Sequence, residues 1–266
     1  MMNLMDIVRS GSFDLHIHTT ASDGDHSPKD ILKKASSIGL NTIAITDHDT
    51  LDGLHEAIEA GKKYGVTVIP GIELSTKFNG KTVDILGYNV SPTTELSQVL
   101  KQLREERETR AIKIIEKFKA IGMPITIEDV FRYSKGEVIS RPHIAKAIVE
   151  KGYVEHYQTV FDEFLADGKP CSIDKKIIIP EEGIKLIQNA GGLAVLAHPV
   201  YLKGNMIDDL LHFPFDGIEV WHRNHSKEDA IKFIEIAKKL DLIMTGGSDF
   251  HTDDHNLGKF GYFPVQ

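Results

Sequence analysis

Short apolar runs, each followed by histidine or aspartate, recur along this chain of 266 residues. The runs have the length and composition of buried β-strands. Four of them end in histidine-bearing segments, at 13–18, 43–49, 193–198 and 243–251. Parallel strands bring their carboxyl ends to one face of a barrel or an open sheet. The pattern therefore predicts one polar site that is assembled from distant parts of the chain.

Strand and helix alternate through the first part of the chain. Ser27 and Pro28 predict the start of a helix, with serine as its cap and proline at its first position. Asn79-Gly80 predicts a hairpin turn, so that the strands on either side of it run antiparallel. Such alternation, with a polar face at the strand ends, predicts an α/β barrel of the TIM type with about seven or eight strands.

The pattern changes between residues 93 and 172. One long charged helix is expected over 95–121, and shorter helices, the last over 154–166, follow without alternating strands. The alternation of strand and helix resumes afterwards. We therefore predict a barrel that comprises residues 1–92 and 173–266, interrupted by a helical insert over residues 93–172 that caps it.

Composition and charge limit the kinds of molecule that the protein is expected to bind. The formal net charge of −8 argues against a broad basic surface for long duplex nucleic acid. A small anionic substrate is compatible with this charge, because bound metal ions reverse the local field. Cys171, the single cysteine, cannot form an intrachain disulfide, which fits a reducing compartment. Since no apolar run reaches membrane-spanning length and residues 1–10 lack a signal-peptide core, we expect a cytoplasmic protein that does not act on a membrane.

Several strand ends carry residues that bind metal ions. His16 and His18 are two positions apart, so both imidazoles can reach one ion, although two surface histidines would show the same spacing. Asp23 follows in an Asp-Gly turn, which is its simpler explanation. His48 is a poor helix cap, and this favours its interpretation as a ligand. Asp47 beside it is a candidate for orienting an imidazole.

Further histidines and carboxylates follow the other predicted strands. Glu73 comes after a strand expected over 66–70, where a carboxylate can bridge two cations. His198 ends a later strand, and Asp249 and His251 lie two positions apart after the last one. Each residue alone has an ordinary surface or loop explanation, whereas the convergence of four or more strand ends is hard to produce by chance. Imidazole and carboxylate ligands without thiolates indicate a cluster of divalent metal ions.

These motifs resemble the PHP (polymerase and histidinol phosphatase) family, whose members are distorted β/α barrels that bind two or three metal ions and hydrolyse phosphoesters. The resemblance spans nearly the whole chain and implies a distorted TIM-like (β/α)7 PHP barrel with a helical insert. The matching motifs, in chain order, are Asp14-Leu15-His16-Ile17-His18-Thr19, Ser22-Asp23-Gly24, Thr46-Asp47-His48-Asp49, Gly71-Ile72-Glu73, Ala197-His198-Pro199 and Gly247-Ser248-Asp249-Phe250-His251.

A further motif narrows the resemblance. Arg141-Pro142-His143-Ile144-Ala145, together with the helical insert, is similar to the branch of the family that contains 3',5'-nucleoside bisphosphate phosphatases and 5'-to-3' exoribonucleases acting on short RNA. The resemblance thus implies a small phosphorylated substrate, either a nucleotide or a short RNA end.

The resemblance also implies metal positions, each with its own set of ligands. The first set is His16, His18, Glu73 and Asp249, and the second set is Asp23, His48 and His251. The implied cofactors are two to three divalent ions, which could be Mn, Fe or Zn, with Mg also possible.

A third implied position would share Glu73 and use His198 together with the residue at position 84. Most relatives have histidine there, in a His-Ile-Leu-Gly-Tyr run, whereas this chain has Asp84. Aspartate still ligates hard cations such as Mn²⁺ or Mg²⁺. Because it is shorter than histidine and adds a negative charge, we expect the third site to be altered, weaker or more selective.

The catalytic hypothesis is that a hydroxide bridging two metal ions attacks phosphorus in line. Glu73 and Asp249 then count as catalytic residues because they hold those ions. Arg141 is a candidate for clamping a phosphate, unless it forms a surface salt bridge. His143 is a candidate for binding phosphate or protonating the leaving oxygen, unless it only starts a helix.

Two further residues are candidates for substrate contact. Arg223 and His225 follow a strand expected over 217–221, so they face the site in a barrel. The helical insert would overhang the metal ions and limit access to mononucleotides or strand ends. We therefore predict a metal-dependent phosphoesterase of nucleotides or short RNA ends.

Alternative functions need much of the same cluster. A phosphatase of a non-nucleotide metabolite, such as histidinol phosphate, would use the same ligands. Amidohydrolase-type C–N hydrolases also use a His-x-His pair and a late aspartate, but they usually carry a carboxylated lysine where this chain has Glu73. A non-catalytic metal or nucleotide sensor is favoured only by Asp84. The sequence pattern favours neither phosphatase nor exonuclease, and it leaves the oligomeric state open.

Overall fold

A computed structural model describes residues 4–134, 139–166, 168–173 and 178–265. Seven strands form one sheet in chain order: β1 (Phe13–Asp14), β2 (Thr42–Ile45), β3 (Thr67–Phe78), β4 (Lys81–Tyr88), β5 (Leu193–Leu196), β6 (Gly217–His222) and β7 (Ile243–Gly247). The α-helices of the described residues are α1 (Leu4–Ser10), α2 (Pro28–Ser37), α3 (Leu54–Tyr64), α4 (Thr94–Ala120), α5 (Ile127–Phe131), α6 (Arg141–Glu150), α7 (Tyr157–Val160), α8 (Pro180–Asn189), α9 (Met206–Leu210) and α10 (Lys227–Leu240). None of these helices is both long and apolar enough to cross a bilayer.

The sheet curves until its first and last strands meet. Neighbouring strands are parallel except at β4, which runs antiparallel to both β3 and β5. The residues that follow β1 contact β7 and the residues after it. Leu15 N donates to Gly246 O at 3.1 Å, and Ile17 forms a bridge with Phe250. The result is a nearly closed seven-stranded barrel, which confirms the predicted distorted TIM-like fold.

Local sequence signals account for two of these elements. Ser27 caps α2 by accepting a hydrogen bond from Asp30 N at 3.1 Å, and Pro28 takes the first helical position. The β3–β4 hairpin turns through Asn79 and Gly80, whose φ angles of +48° and +79° suit these two residue types. Both predictions are confirmed.

The elements differ from the predicted ones at three places. The first strand was expected over 13–18, but β1 ends at Asp14 because Ile17 N donates to the Thr46 side chain instead of to a ladder carbonyl. The strand expected over 66–70 continues to Phe78, since β4 pairs with its second half. The helix expected over 154–166 consists of α7 and a π-helix at Phe161–Leu165.

Helices α4 to α7 share an apolar core that includes Ile114, Phe118 and Cys171. The first turns of α4 pack elsewhere, because Leu96 and Leu103 belong to the barrel core. Helix α4 therefore contributes to both cores and joins them. Residues 135–138, 167 and 174–177, which belong to the predicted insert and its junction with the barrel, lie outside the described residues.

A buried carboxylate fastens the last strand to the first. Asp14 accepts hydrogen bonds from Ser248 N at 2.9 Å, Ser248 Oγ at 2.6 Å and Gly258 N at 2.8 Å. It also accepts from His16 N at 3.3 Å, and its side chain is fully buried. The contact therefore ties barrel closure to the backbone that carries His16.

We predict that Asp14→Ala lowers the free energy of unfolding by about 3 kcal/mol, because it leaves buried donors of Ser248 and Gly258 without an acceptor. Urea denaturation followed by the fluorescence of Trp221, the single tryptophan, measures the change. The exposed Asp6→Ala is the control, with an expected change within about 0.5 kcal/mol. Equal stability of the two variants would contradict the proposed fastening role of Asp14.

Candidate metal centre

Three groups of imidazole and carboxylate side chains meet at one end of the barrel, and the ligand atoms of each group lie within 4.8 Å of one another. The first group is His16, His18, Glu73 and Asp249, the second is His18, Asp23, His48 and His251, and the third is Glu73, Asp84 and His198. His18 links the second group to the first, and Glu73 links the first to the third. The nine predicted ligands are thus brought together in a row of three groups.

Irregular backbone directs several of these side chains into the centre. Asp249 and His198 have φ angles of +50° and +26°, in or near the left-handed region that non-glycine residues rarely adopt. His48 forms an isolated bridge with Glu73, which lies inside β3 rather than after its strand. The hairpin partner β4 extends β3 past the predicted end, and this extension places Glu73 beside His48.

Glu73 turns its two carboxylate oxygens toward different groups. Its Oε2 lies 3.1 Å from His18 Nε2, 3.4 Å from His16 Nε2 and 3.1 Å from His48 Nδ1. Its Oε1 lies 2.9 Å from His198 Nε2. A carboxylate that faces ligand sets on both sides has the geometry of a bridge between cations.

The donor set fits divalent cations. His16 Nε2, both ring nitrogens of His18, His48 Nδ1 and Asp23 Oδ1 are buried and have no hydrogen-bond partner among the described residues. Carboxylate oxygens lie close to the ring nitrogens, but the groups are not aligned as hydrogen bonds. A buried polar atom without a partner costs about 1–3 kcal/mol. Several such atoms that point at common centres are therefore explained by ions that they coordinate.

The pKa values of the histidines report an excess of negative charge. Burial lowers the pKa of His18 and His198, but neighbouring carboxylates outweigh it: Asp249 and Glu73 raise the pKa of His18 to about 10, and Glu73 raises that of His198 to about 9. For His16, burial is likewise outweighed, and Glu219, Glu73 and Asp249 raise its pKa well above the ordinary value. The site therefore holds protons in places where it can instead hold metal cations.

The third group is more open than the first. The side chains of Asp84 and His198 are 16% and 15% exposed, whereas those of His16 and His18 are fully buried. His198 Nε2 lies 3.9 Å from Asp84 Oδ2. The third group thus combines two carboxylates with one imidazole and is partly open to solvent.

Glu219 is an important residue that the sequence analysis missed. Its Oε1 lies 3.0 Å from His16 Nδ1, and its Oε2 accepts from His198 N at 2.8 Å. The carboxylate holds the His16 ring so that Nε2 faces Glu73 and Asp249. A signal was present, because Glu219 is the single charged residue in the apolar strand β6.

The acidic residues next to His48 do not orient its ring. Asp47 was a candidate for orienting an imidazole, but it accepts from Thr19 N at 2.7 Å and Ser22 Oγ at 2.6 Å, and so orders the loop that carries Asp23. Asp49 forms a buried ion pair with Arg107 of α4, whose Nε donates at 2.8 Å.

The two candidates from the predicted insert lie in the first turn of α6. Arg141 Nη1 donates to Leu165 O at 3.1 Å, and its side chain lines a cavity beside Asp84 and His198. His143 Nδ1 accepts from Ser140 N at 3.3 Å, and burial lowers its pKa to about 4. The ring is therefore neutral with its proton on Nε2, which favours phosphate binding over protonation of a leaving group.

The candidates that follow β6 differ in their placement. Arg223 Nη2 lies 3.0 Å from Asp249 Oδ2 and Nη1 donates to Ser248 O at 2.7 Å, so Arg223 orients a residue of the first group. His225 Nδ1 lies 2.8 Å from Val220 O, and its ring packs against Phe233 of α10. The structure thus does not bring His225 to the ligand groups.

A nearly closed barrel with imidazole and carboxylate ligands at its strand ends is an architecture of metal-dependent hydrolases. Comparison with known proteins gives the family. The model of the PHP domain matches residues 14–163, which is more than half of the chain. The protein belongs to the PHP domain family.

Named relatives match along most of the chain. A 5'-3' exoribonuclease from Haemophilus influenzae is 34% identical, over 90% of this chain and 89% of that protein. A 3',5'-nucleoside bisphosphate phosphatase from Chromobacterium violaceum is also 34% identical, over 90% of this chain and 87% of that protein. A phosphoribosyl 1,2-cyclic phosphate 1,2-diphosphodiesterase from Eggerthella lenta is 31% identical, over 94% of this chain and 96% of that protein.

Solved structures share the fold. A protein from Bifidobacterium adolescentis described as a metal-dependent phosphoesterase superposes with a TM-score of 0.83 at 31% identity, over 94% of this chain and 90% of that one. A second solved structure is a protein from Chromobacterium violaceum that is described as an amidohydrolase with bound sulfate and no metal. It superposes with a TM-score of 0.89 at 33% identity, over 95% of this chain and 92% of that one. The family, the named relatives and the Bifidobacterium structure make the chain a metal-dependent phosphoesterase, as the sequence predicted.

We predict that Glu219→Gln weakens Mn²⁺ binding about tenfold or more, since outer residues that orient a ligand typically contribute 10–100-fold to metal affinity. Glutamine can accept from His16, but its amide group then faces the His198 N–H, so one of the two contacts is lost. Isothermal titration with Mn²⁺ measures the affinity. Glu235→Gln, an exposed glutamate of α10, is the matched control, and equal affinities for the two variants would exclude the orienting role.

We also predict that Mn²⁺ binding at pH 7 releases protons, because His18 and His198 have pKa values of about 10 and about 9 without metal and must be neutral to ligate. Raised pKa values keep both rings protonated below pH 9, so the release declines as the pH rises through 9 to 10. Titration calorimetry in buffers of different ionisation enthalpy counts the protons. A binding enthalpy that does not depend on the buffer at pH 7 would show that the rings are already neutral.

Proposed function

We propose that this protein hydrolyses phosphate monoesters or terminal phosphodiesters of nucleotides and short RNA ends. The observation that carries the proposal is the row of three ligand groups joined through His18 and Glu73, with Arg141 in the wall of a cavity beside the third group. Similarity to the Haemophilus exoribonuclease and the Chromobacterium phosphatase over 90% of the chain supports nucleotides as the substrate class.

The first and second groups would each hold a divalent ion, and the third group would hold another through Glu73, Asp84 and His198. Mn, Fe or Zn suits these donors, and Mg is also compatible with the carboxylate-rich third group. When bound, such ions neutralise phosphoryl oxygens and lower the pKa of water. Two to three ions are therefore proposed as cofactors.

Side chains of the protein would bind and orient the substrate around these ions. Arg141 is placed to pair with phosphoryl oxygens, which a planar guanidinium binds through two hydrogen bonds. His143, neutral and protonated at Nε2, would donate one further hydrogen bond to the phosphate. Arg223 would act mainly on Asp249, whose carboxylate it holds toward His16 and His18.

Residues 93–172 would form a cap over the metal centre, and the barrel would comprise residues 1–92 and 173–266. Arg107 of α4 pairs with Asp49, one residue after His48, so the cap is attached at the edge of the site. A capped site favours small substrates and strand ends over long duplex nucleic acid. Together with the net charge of −8 and the single cysteine, this supports a cytoplasmic enzyme of small phosphorylated substrates.

We expect that the protein with Mn²⁺ releases phosphate from adenosine 3',5'-bisphosphate or mononucleotides from a 5'-phosphorylated RNA trinucleotide. Chelation abolishes both activities, because the ligand groups are then left without ions. His16→Ala should lower kcat by more than a hundredfold, since it removes a buried donor of the first group. The exposed His156→Ala is the matched control and retains full activity.

The comparison of substrates decides between the alternatives. Histidinol phosphate and the cyclic phosphate named for the Eggerthella relative are assayed in parallel. Turnover of histidinol phosphate or the cyclic phosphate without turnover of either nucleotide would overturn the nucleotide assignment but keep the phosphoesterase. The relative rates on the bisphosphate and the trinucleotide separate a phosphatase from an exonuclease.

A further inference from the structure

One buried histidine beside the metal centre has no part in the proposed function. His222 is the last residue of β6, its side chain is fully buried, and it lies outside the three ligand groups. The centre of its ring lies 6.2 Å from that of His16 and 5.7 Å from that of His198. What keeps His222 out of the groups is the state of its two ring nitrogens.

Both ring nitrogens of His222 have partners. Nδ1 accepts a hydrogen bond from Asn224 N at 3.1 Å. An imidazole that accepts at one nitrogen carries its proton on the other, so Nε2 is a donor. Nε2 lies 3.4 Å from Asp249 Oδ2, which accepts from it. Because a protonated ring nitrogen has no free electron pair for a cation, His222 donates to a residue of the first group and is not itself a ligand.

The two oxygens of Asp249 have different partners. Oδ1 lies 3.5 Å from His16 Nε2 and 3.3 Å from His18 Nε2, which are the ligand atoms of the first group. Oδ2 lies beside two donors, His222 Nε2 and Arg223 Nη2, the latter at 3.0 Å. The donors therefore occupy one oxygen and leave the other to the ligand atoms.

The two donors to Oδ2 differ in their surroundings. The side chain of Arg223 is 21% exposed, and its guanidinium also donates to Ser248 O. The ring of His222 is fully buried, and Asn224, which donates to it, is itself held because its side-chain amide donates to the Tyr201 hydroxyl. A hydrogen bond is electrostatically stronger in buried surroundings than in water. The contact from His222 is therefore the one that solvent does not weaken.

We propose that His222 is a positioning residue that fixes which oxygen of Asp249 faces the ion of the first group. This inference rests on the proposed function, in which that group holds a divalent ion. Without the donor at Nε2, the carboxylate is free to turn about its Cβ–Cγ bond, so that neither oxygen is held toward His16 and His18. Outer residues that orient a ligand typically contribute 10–100-fold to metal affinity.

The test compares the wild-type protein with two variants. His222→Phe keeps an aromatic ring but has no donor, whereas the side-chain amide of His222→Gln can donate from about the position of Nε2. We expect His222→Phe to weaken Mn²⁺ binding at one site about tenfold or more, and His222→Gln to stay within about threefold of the wild type. Isothermal titration measures both affinities. His212→Phe, at an exposed histidine, is the matched control and should bind Mn²⁺ like the wild type.

A second readout separates positioning from a general loss of stability. The midpoint of urea unfolding is measured in EDTA and in excess Mn²⁺, since an ion that binds only the folded protein stabilises it according to its affinity. We expect the increase caused by Mn²⁺ to be smaller in His222→Phe and to be regained in His222→Gln, whatever the midpoints in EDTA. If His222→Phe does not fold, His222→Asn, whose amide is one methylene shorter than that of glutamine, takes its place with the same expectation.

Two results would overturn the positioning role of His222. One is wild-type Mn²⁺ affinity in the variant without a donor, and the other is an equal loss of affinity in that variant and in His222→Gln. Failure of the wild type itself to bind Mn²⁺ would instead overturn the ion binding on which the proposed function rests, so the two failures are distinguishable.

Discussion

The carboxylate of Glu73 is the contact on which the metal centre depends. It is almost fully buried in the longest strand, and its two oxygens face imidazoles of all three ligand groups. A buried carboxylate is stable only when positive charge surrounds it. Without metal, protonated histidines provide this charge, and their raised pKa values record it. The barrel therefore has to bring the histidine-bearing strand ends to the one strand that carries Glu73.

The residues of the three ligand groups could be predicted because histidine and aspartate follow several predicted strands and their spacing there is informative. His16 and His18 illustrate this, as do Asp249 and His251. Residues that orient a side chain of the ligand groups were harder to predict. Glu219 was detectable as a lone charge in an apolar strand, but nothing in the sequence links it to His16, since 203 residues separate them.

The barrel fold was predictable from the alternation of strands and helices and from turn signals, whereas the attachment of helix α4 to the barrel was not. Helix α4 carries many charged residues, and its periodicity does not reveal that Arg107 is the one buried against Asp49. A buried pair of this kind is costly to break from one side, so it fixes the position of α4 relative to His48.

The closure of the barrel between Asp14 and Ser248 also bears on the order of events during synthesis. These two residues are 234 positions apart, and contacts of such long range form late because loop closure must precede them. His16 and His18 leave the ribosome long before Asp249 and His251. A growing chain therefore cannot complete the first ligand group, and competence to bind its full set of ions arises only when the last strand joins the first.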